Sequence, residues 1–180
     1  MIRSMLLGLL FCLPLVSLAE ESKLPQVPEG FEIQVVAATP LVQHPMMAGF
    51  DERGRLFIAE SAGENLGAAD LLKAPPNFIR MLEDIDGDGV FDKSTIFADK
   101  LTLPMGALWY RDSLYVASPP YIWRLRDTDD DGVADERTIL VDSFGFSGNA
   151  ASIHGCFLSP GGRIFWCDGR HGHEHFDENG

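Results

Sequence analysis

Asp84-Ile85-Asp86-Gly87-Asp88-Gly89-Val90-Phe91-Asp92 recurs 43 residues later as Asp127-Thr128-Asp129-Asp130-Asp131-Gly132-Val133-Ala134-Asp135. The agreement extends outward: Thr95-Ile96 returns as Thr138-Ile139, and Asp99 as Asp142. The repeated object is therefore an apolar strand, an acidic loop and a second strand. A strand-built period of this size is the length of one four-stranded propeller blade.

Each copy reads Asp-x-Asp-x-Asp-Gly-x-x-Asp, the spacing at which alternate carboxylates of a calcium loop turn inward while glycine permits the sharp bend. The expected Ca2+ ligands are Asp84, Asp86, Asp88 and Asp92 with the carbonyl of Val90, and Asp127, Asp129, Asp131 and Asp135 with the carbonyl of Val133. Position twelve, where an EF-hand loop carries a bidentate glutamate, is Thr95 or Thr138. The flanks Phe78–Leu82 and Tyr121–Leu125 are rich in aromatic and branched residues, as strands are, so helix–loop–helix EF-hands are excluded. Asp and Gly also make hairpin turns without metal. Against that plainer reading, four carboxylates within nine residues repel one another unless a cation lies between them.

Residues 1–19 read as a signal peptide. Arg3 supplies the positive end, Met5–Val16 the apolar run and Ser17-Leu18-Ala19 the small cleavage residues, with an uncleaved anchor as the alternative. Phe11 precedes Cys12 where a lipidated cysteine needs a small residue. The run is too short for a membrane span, and no later stretch replaces it, so the expected location is periplasmic or secreted. The 180 residues carry 14 Lys and Arg against 27 Asp and Glu, a net charge of −13. Such a surface repels nucleic acid and anionic membranes.

The remaining domain, 20–180, is expected to be all-β. Phe31–Ala37 alternates like a half-buried strand. Three hairpins follow. Met47–Phe50 and Arg55–Ala59 flank Asp51-Glu52-Arg53-Gly54. Gly106–Tyr110 and Ser113–Ala117 flank Arg111-Asp112. Cys156–Leu158 and Ile164–Cys167 flank Ser159–Gly162. Read as strands one and two of successive blades, with the aspartate loops joining strands three and four, they make a β-propeller of about three blades, an incomplete N-terminal portion of a closed ring. The stretch 60–76 reads as a surface insertion, either with a helical turn over Ala68–Lys73 or without order.

Strand alternation puts the tight turns and aspartate loops on one face of the sheets, and chemistry on the other. His154 enters a first strand there, and Asp168-Gly169-Arg170-His171-Gly172-His173-Glu174-His175 leaves a second. His-x-His-x-His places three imidazoles on one side if extended, which suits a transition metal with Glu174 or Asp168, or else forms a solvated loop. In the third hairpin a three-residue loop with Gly162 left-handed pairs Ser159 with Arg163, Cys156 with Trp166 and Gly155 with Cys167. That register separates the thiols, whereas a one-residue slip would let them bond.

Gly54–Glu60, Leu82–Gly89, Leu103–Gly106 and Ile153–Cys156 together resemble the N-terminal propeller of the bacterial "membrane-bound dehydrogenase" domain proteins, a group similar to the soluble quinoprotein sugar dehydrogenases. The resemblance covers essentially the whole chain after the leader. It implies an exported oxidoreductase in which His154 acts as base on a sugar or alcohol, pyrroloquinoline quinone (PQQ) takes the hydride, and Arg170, His171 and His173 contact the cofactor. A downstream cytochrome c domain is a further implication. The alternative is a non-catalytic, calcium-stabilised propeller binding a small molecule, a glycan or a protein.

Overall fold

The computed structural model describes residues 24–174. The expected signal peptide, Cys12 and His175 lie outside them. Met1–Gln34 and Val35–Gly180 are separate compact units. In the described part of the first, the Phe31 N–H donates to the Pro28 carbonyl at 3.2 Å.

The protein is all-β, built of antiparallel sheets without a closed barrel. Strands β1 (Pro45–Phe50), β2 (Leu56–Glu60), β3 (Asn77–Glu83) and β4 (Lys93–Leu101) form one four-stranded meander in chain order. Strands β5 (Leu108–Trp109), β6 (Leu114–Ser118), β7 (Tyr121–Arg126) and β8 (Glu136–Val141) form a second with the same order. A hairpin of β9 (His154–Leu158) and β10 (Ile164–Cys167) follows. The sequence repeat survives as geometry. Glu83 pairs with Lys93 where Arg126 pairs with Glu136, and each pair of strands slips register at the same place, between Ile79 and Arg80 and between Ile122 and Trp123.

Alternation along the strands decides which residues meet. Phe57, Ala59, Ile79, Met81 and Phe97 form one face of the first sheet and pack on Leu114, Val116, Leu125 and Ala134 from the second. Phe57 stacks on Trp109 at 5.0 Å and meets Phe97 edge-on at 4.9 Å, the geometries that aromatic quadrupoles favour. The far side of β6 and β7 offers Ala117 and Ile122 to Ile153 and Cys156, so the second sheet is covered on both faces. Glycines set how closely the first strands approach. A Cβ on Gly49 would stand 2.1 Å from the Ala107 carbonyl oxygen, and one on Gly106 would stand 1.4 Å from that of Gly155.

Turn chemistry matches the sequence. Gly54 has φ +81°, and Arg111 and Asp112 have φ +49° and +52°, the mirror-image conformation that a two-residue hairpin loop requires. The insertion is ordered, with α1 spanning Ala68–Lys73.

Two expectations are corrected. Phe31–Ala37 forms no strand. Alternation supplies a face but not a partner, and a strand needs an edge for its N–H and C=O groups. The Val36 carbonyl takes a hydrogen bond from the Phe91 N–H, and Phe31 is 73% exposed. In the third hairpin the loop is as expected, with Gly162 at φ +76° and Ser159 bonded to Arg163. Beyond it a bulge shifts the register, so Trp166 faces Gly155 and Cys167 faces His154. Cys156 is the extra residue. Both thiols are free, Cys156 buried and Cys167 exposed.

Candidate functional site

The two acidic loops, 84–92 and 127–135, connect β3 to β4 and β7 to β8. Their ladders end at Glu83–Lys93 and Arg126–Glu136, and the loop backbone then bonds to its own aspartates. Asp84 accepts the N–H groups of Gly87 at 2.7 Å and Gly89 at 2.9 Å; Asp127 accepts those of Asp131 at 3.2 Å and Gly132 at 2.8 Å. Val90 and Val133 each donate to the aspartate two residues before, at 2.8 Å. Asp92 and Asp135 close the loops by accepting from Ile85 and Thr128. The left-handed positions also correspond: Gly87 (φ +78°) with Asp130 (+60°), and Gly89 (+89°) with Gly132 (+91°).

This folding gathers carboxylates. Ligand oxygens of Asp84, Asp86 and Asp88 lie within 4.8 Å of one another, as do those of Asp127, Asp129 and Asp131. Both triplets are placed to hold a metal ion, and three hard oxygens fit a hard cation better than a transition metal. The Asp129 carboxyl is held above the usual carboxylate range, chiefly by the charge of Asp131. Asp135 moves the opposite way, because Thr128 hydrogen-bonds it from both hydroxyl and backbone. Asp92, Asp135, Val90 and Val133 stand outside the triplets, and Thr95 and Thr138 are in the ladders of β4 and β8.

The loops share a face with the tight turns, as strand alternation requires. Arg53, in the turn after β1, donates to Asp130 at 2.8 Å, tying the first sheet's turn to the second sheet's loop. Asp51 accepts the backbone N–H groups of Arg53 and Arg55 and the Arg55 side chain at 2.6 Å, which keeps that turn rigid. This clasp was not anticipated. Its sequence signal is that the second copy has Asp130 where the first has Gly87, a side chain at a left-handed position that glycine takes without strain.

Of the residues expected to carry chemistry on the opposite face, His171 and His173 come to one cleft and His154 and Arg170 do not. Gly172 has φ +65° and turns back to Gly169, so the described part of the His-x-His-x-His segment, His171 to His173, is not extended. Instead His171 bonds the Ser147 hydroxyl at 2.6 Å, and His173 pairs with Asp168 at 2.5 Å. His171, His173 and Glu174 line one cleft of about 450 Å³ that includes neither His154 nor Arg170. The Arg170 backbone N–H is on the Ala151 carbonyl. A quinone bearing carboxylates calls for converging basic groups, and of the residues named for it His171 and His173 line one cleft while His154 and Arg170 do not. His154 donates its Nε2–H to the Ala150 carbonyl.

The same face holds interactions that sequence did not indicate. The buried Glu60 carboxylate accepts the N–H groups of Gln43 at 2.7 Å and His44 at 3.2 Å and pairs with Arg80. Buried Asn77 accepts from Ala62 at 2.8 Å and donates to the Thr102 carbonyl. Asn77 and the pair of bonds to Glu60 tether both ends of the 60–76 insertion.

Among the described residues no helix is long and apolar enough to cross a membrane. The family described as "Domain of unknown function (DUF7133)" matches residues 17–180, and the chain belongs to it. Neither a curated protein nor a solved structure matches the chain.

Proposed function

We propose that this member of the family is an exported, calcium-stabilised propeller protein that binds its ligand on the face opposite the aspartate loops. The observation that carries the calcium reading is the duplicated loop. Two copies reach the same left-handed positions and gather the same carboxylate triplet. Asp84, Asp86 and Asp88 would hold one ion, and Asp127, Asp129 and Asp131 the other. Bound Ca2+ supplies charge neutralisation in each loop, while Asp92 and Asp135 hold the loop closed through Ile85 and Thr128.

The propeller arrangement is supported by two meanders of identical order, their face-to-face core and the glycine-mediated approach of successive first strands. Binding is preferred to dehydrogenation because His171 and His173 share a cleft that neither His154 nor Arg170 lines.

Thermal unfolding followed by circular dichroism with Ca2+ and with a chelator tests the calcium assignment. Chelation lowers Tm, and Asp86→Ala together with Asp129→Ala removes that difference. An unchanged melt would make the loops ordinary turns. For the rival reading, protein incubated with PQQ and Ca2+ is assayed with a dye acceptor against sugars and alcohols. Turnover dependent on His154 would replace the binding assignment.

A further inference from the structure

The 60–76 insertion does more than cover a surface. Its α1 end meets the loop before β9 at Gly148, where the chain takes φ +78° and a Cβ would stand 2.5 Å from the Ala68 nitrogen. At the other end Gly63 lies against the His44 ring, and Asn77 holds Ala62. The insertion is thus fastened both to the first sheet and to the entry of the third hairpin. Between these fastenings lies a cleft of about 480 Å³, within the usual range for small-molecule sites.

The apolar part of the wall is aliphatic and thioether, Met46, Leu66, Leu71, Leu103 and Met105, and the neutral amides Asn65, Asn77 and Asn149 complete it beside Glu64. They come from the entries to β1 and β5 and from the insertion. Among the described residues lining it there is one carboxylate, Glu64, and no basic or aromatic side chain. An anion entering would meet the Glu64 charge with amide groups but no cation to offset it. A flat aromatic guest would find no ring to stack on, whereas a flexible chain suits Leu and Met, which adapt their shape. The −13 net charge of the chain adds a field of the same sign as Glu64.

We propose that this cleft is a binding site for a small aliphatic cation, an alkyl ammonium whose chain lies against Met46, Leu103 and Met105 and whose charge faces Glu64. The proposal rests on the reading that ligands bind the face opposite the aspartate loops. His154 reports on occupancy, since its Nε2 is tied to Ala150, a residue of the cleft wall.

The test uses protein labelled with 13C-methyl methionine, with hexyltrimethylammonium and hexanesulfonate as probes of matched chain and opposite charge. The Met46 and Met105 methyl signals shift saturably with the ammonium, while Met81, buried in the core between the sheets, does not. Affinity for the sulfonate is at least fivefold weaker, and Glu64→Gln weakens the ammonium about threefold, as expected for one exposed charge. Ala150→Trp, checked for folding by its melt, abolishes the shifts. Equal affinity for both probes, no saturable shift, or indifference to Glu64→Gln would overturn the proposal. Shifts confined to the His154 and His171 ring signals of a second, 15N-histidine sample would overturn it while leaving the binding face intact.

Discussion

Glu60 is 1% exposed, and its charge is tolerated because three donors converge on it: the Gln43 and His44 N–H groups and the Arg80 guanidinium. Arg80 in turn donates to the Ser94 hydroxyl, which donates to the Leu41 carbonyl. Glu60→Ala strands the arginine without its partner and is expected to destabilise the protein by about 3–5 kcal/mol in urea unfolding, with Glu60→Gln costing clearly less. The two cysteines give a second prediction at this scale. Burial pushes the Cys156 thiol up to about 12, whereas Cys167 is exposed. Iodoacetamide at pH 8 should therefore modify Cys167 in the native protein and reach Cys156 only in denaturant, read by peptide mass. The acidic residues of the loops were legible because a nine-residue pattern occurs twice. Glu60, Asn77 and Thr102 were not, because a buried polar residue is recognisable only from the donors around it, and those come from distant segments. The bulge at Cys156 was hidden for a related reason: alternation specifies which side chains face inward but not where one strand carries an extra residue.

On the calcium reading, the acidic hairpins should respond to protons as well as to metal. In the chelated protein the repulsion on Asp129 is present above its folded pKa, which lies above the unfolded value. Protonation is therefore favoured in the fold, and the penalty disappears as pH falls through the carboxylate range. A bound cation removes the same penalty at neutral pH, and protons then compete with it. The Tm gain from Ca2+ should accordingly be large at pH 7 and shrink towards pH 4, and a gain constant across that interval would show that Asp129 is not a ligand. The first strands make a separate prediction. Gly106→Ala places a methyl group on the Gly155 carbonyl and should cost roughly 3 kcal/mol or more, because the obstacles, the Gly155 carbonyl and the Cys156 nitrogen, are backbone and cannot rotate away. At this scale the turns were readable from Gly54, Gly162 and the Arg111-Asp112 pair. Phe31–Ala37 was misread because its alternating pattern carried no information about an available edge.

Across the whole protein, protection should follow how many faces each sheet has covered. The second sheet is packed on both sides, by the first sheet and by Ile153 and Cys156, while the hairpin of β9 and β10 shows two strands among the described residues and leaves Phe157, Phe165 and Trp166 exposed. Two strands alone are marginal in water. Amide hydrogen exchange should be slowest at Val116, Ala117 and Leu125 and fastest along β10, and uniform protection would contradict this ranking. The chain-order pairing of every strand also bears on synthesis. Among the described strands none waits for a distant partner, so the first meander is complete once Leu101 has left the ribosome. Its inner face, with Phe57, Ile79 and Phe97, then stands bare until Leu114 and Val116 arrive. A pause in translation between Leu101 and Leu114 would therefore prolong the moment at which the nascent chain is stickiest, and chaperone capture or aggregation should concentrate there.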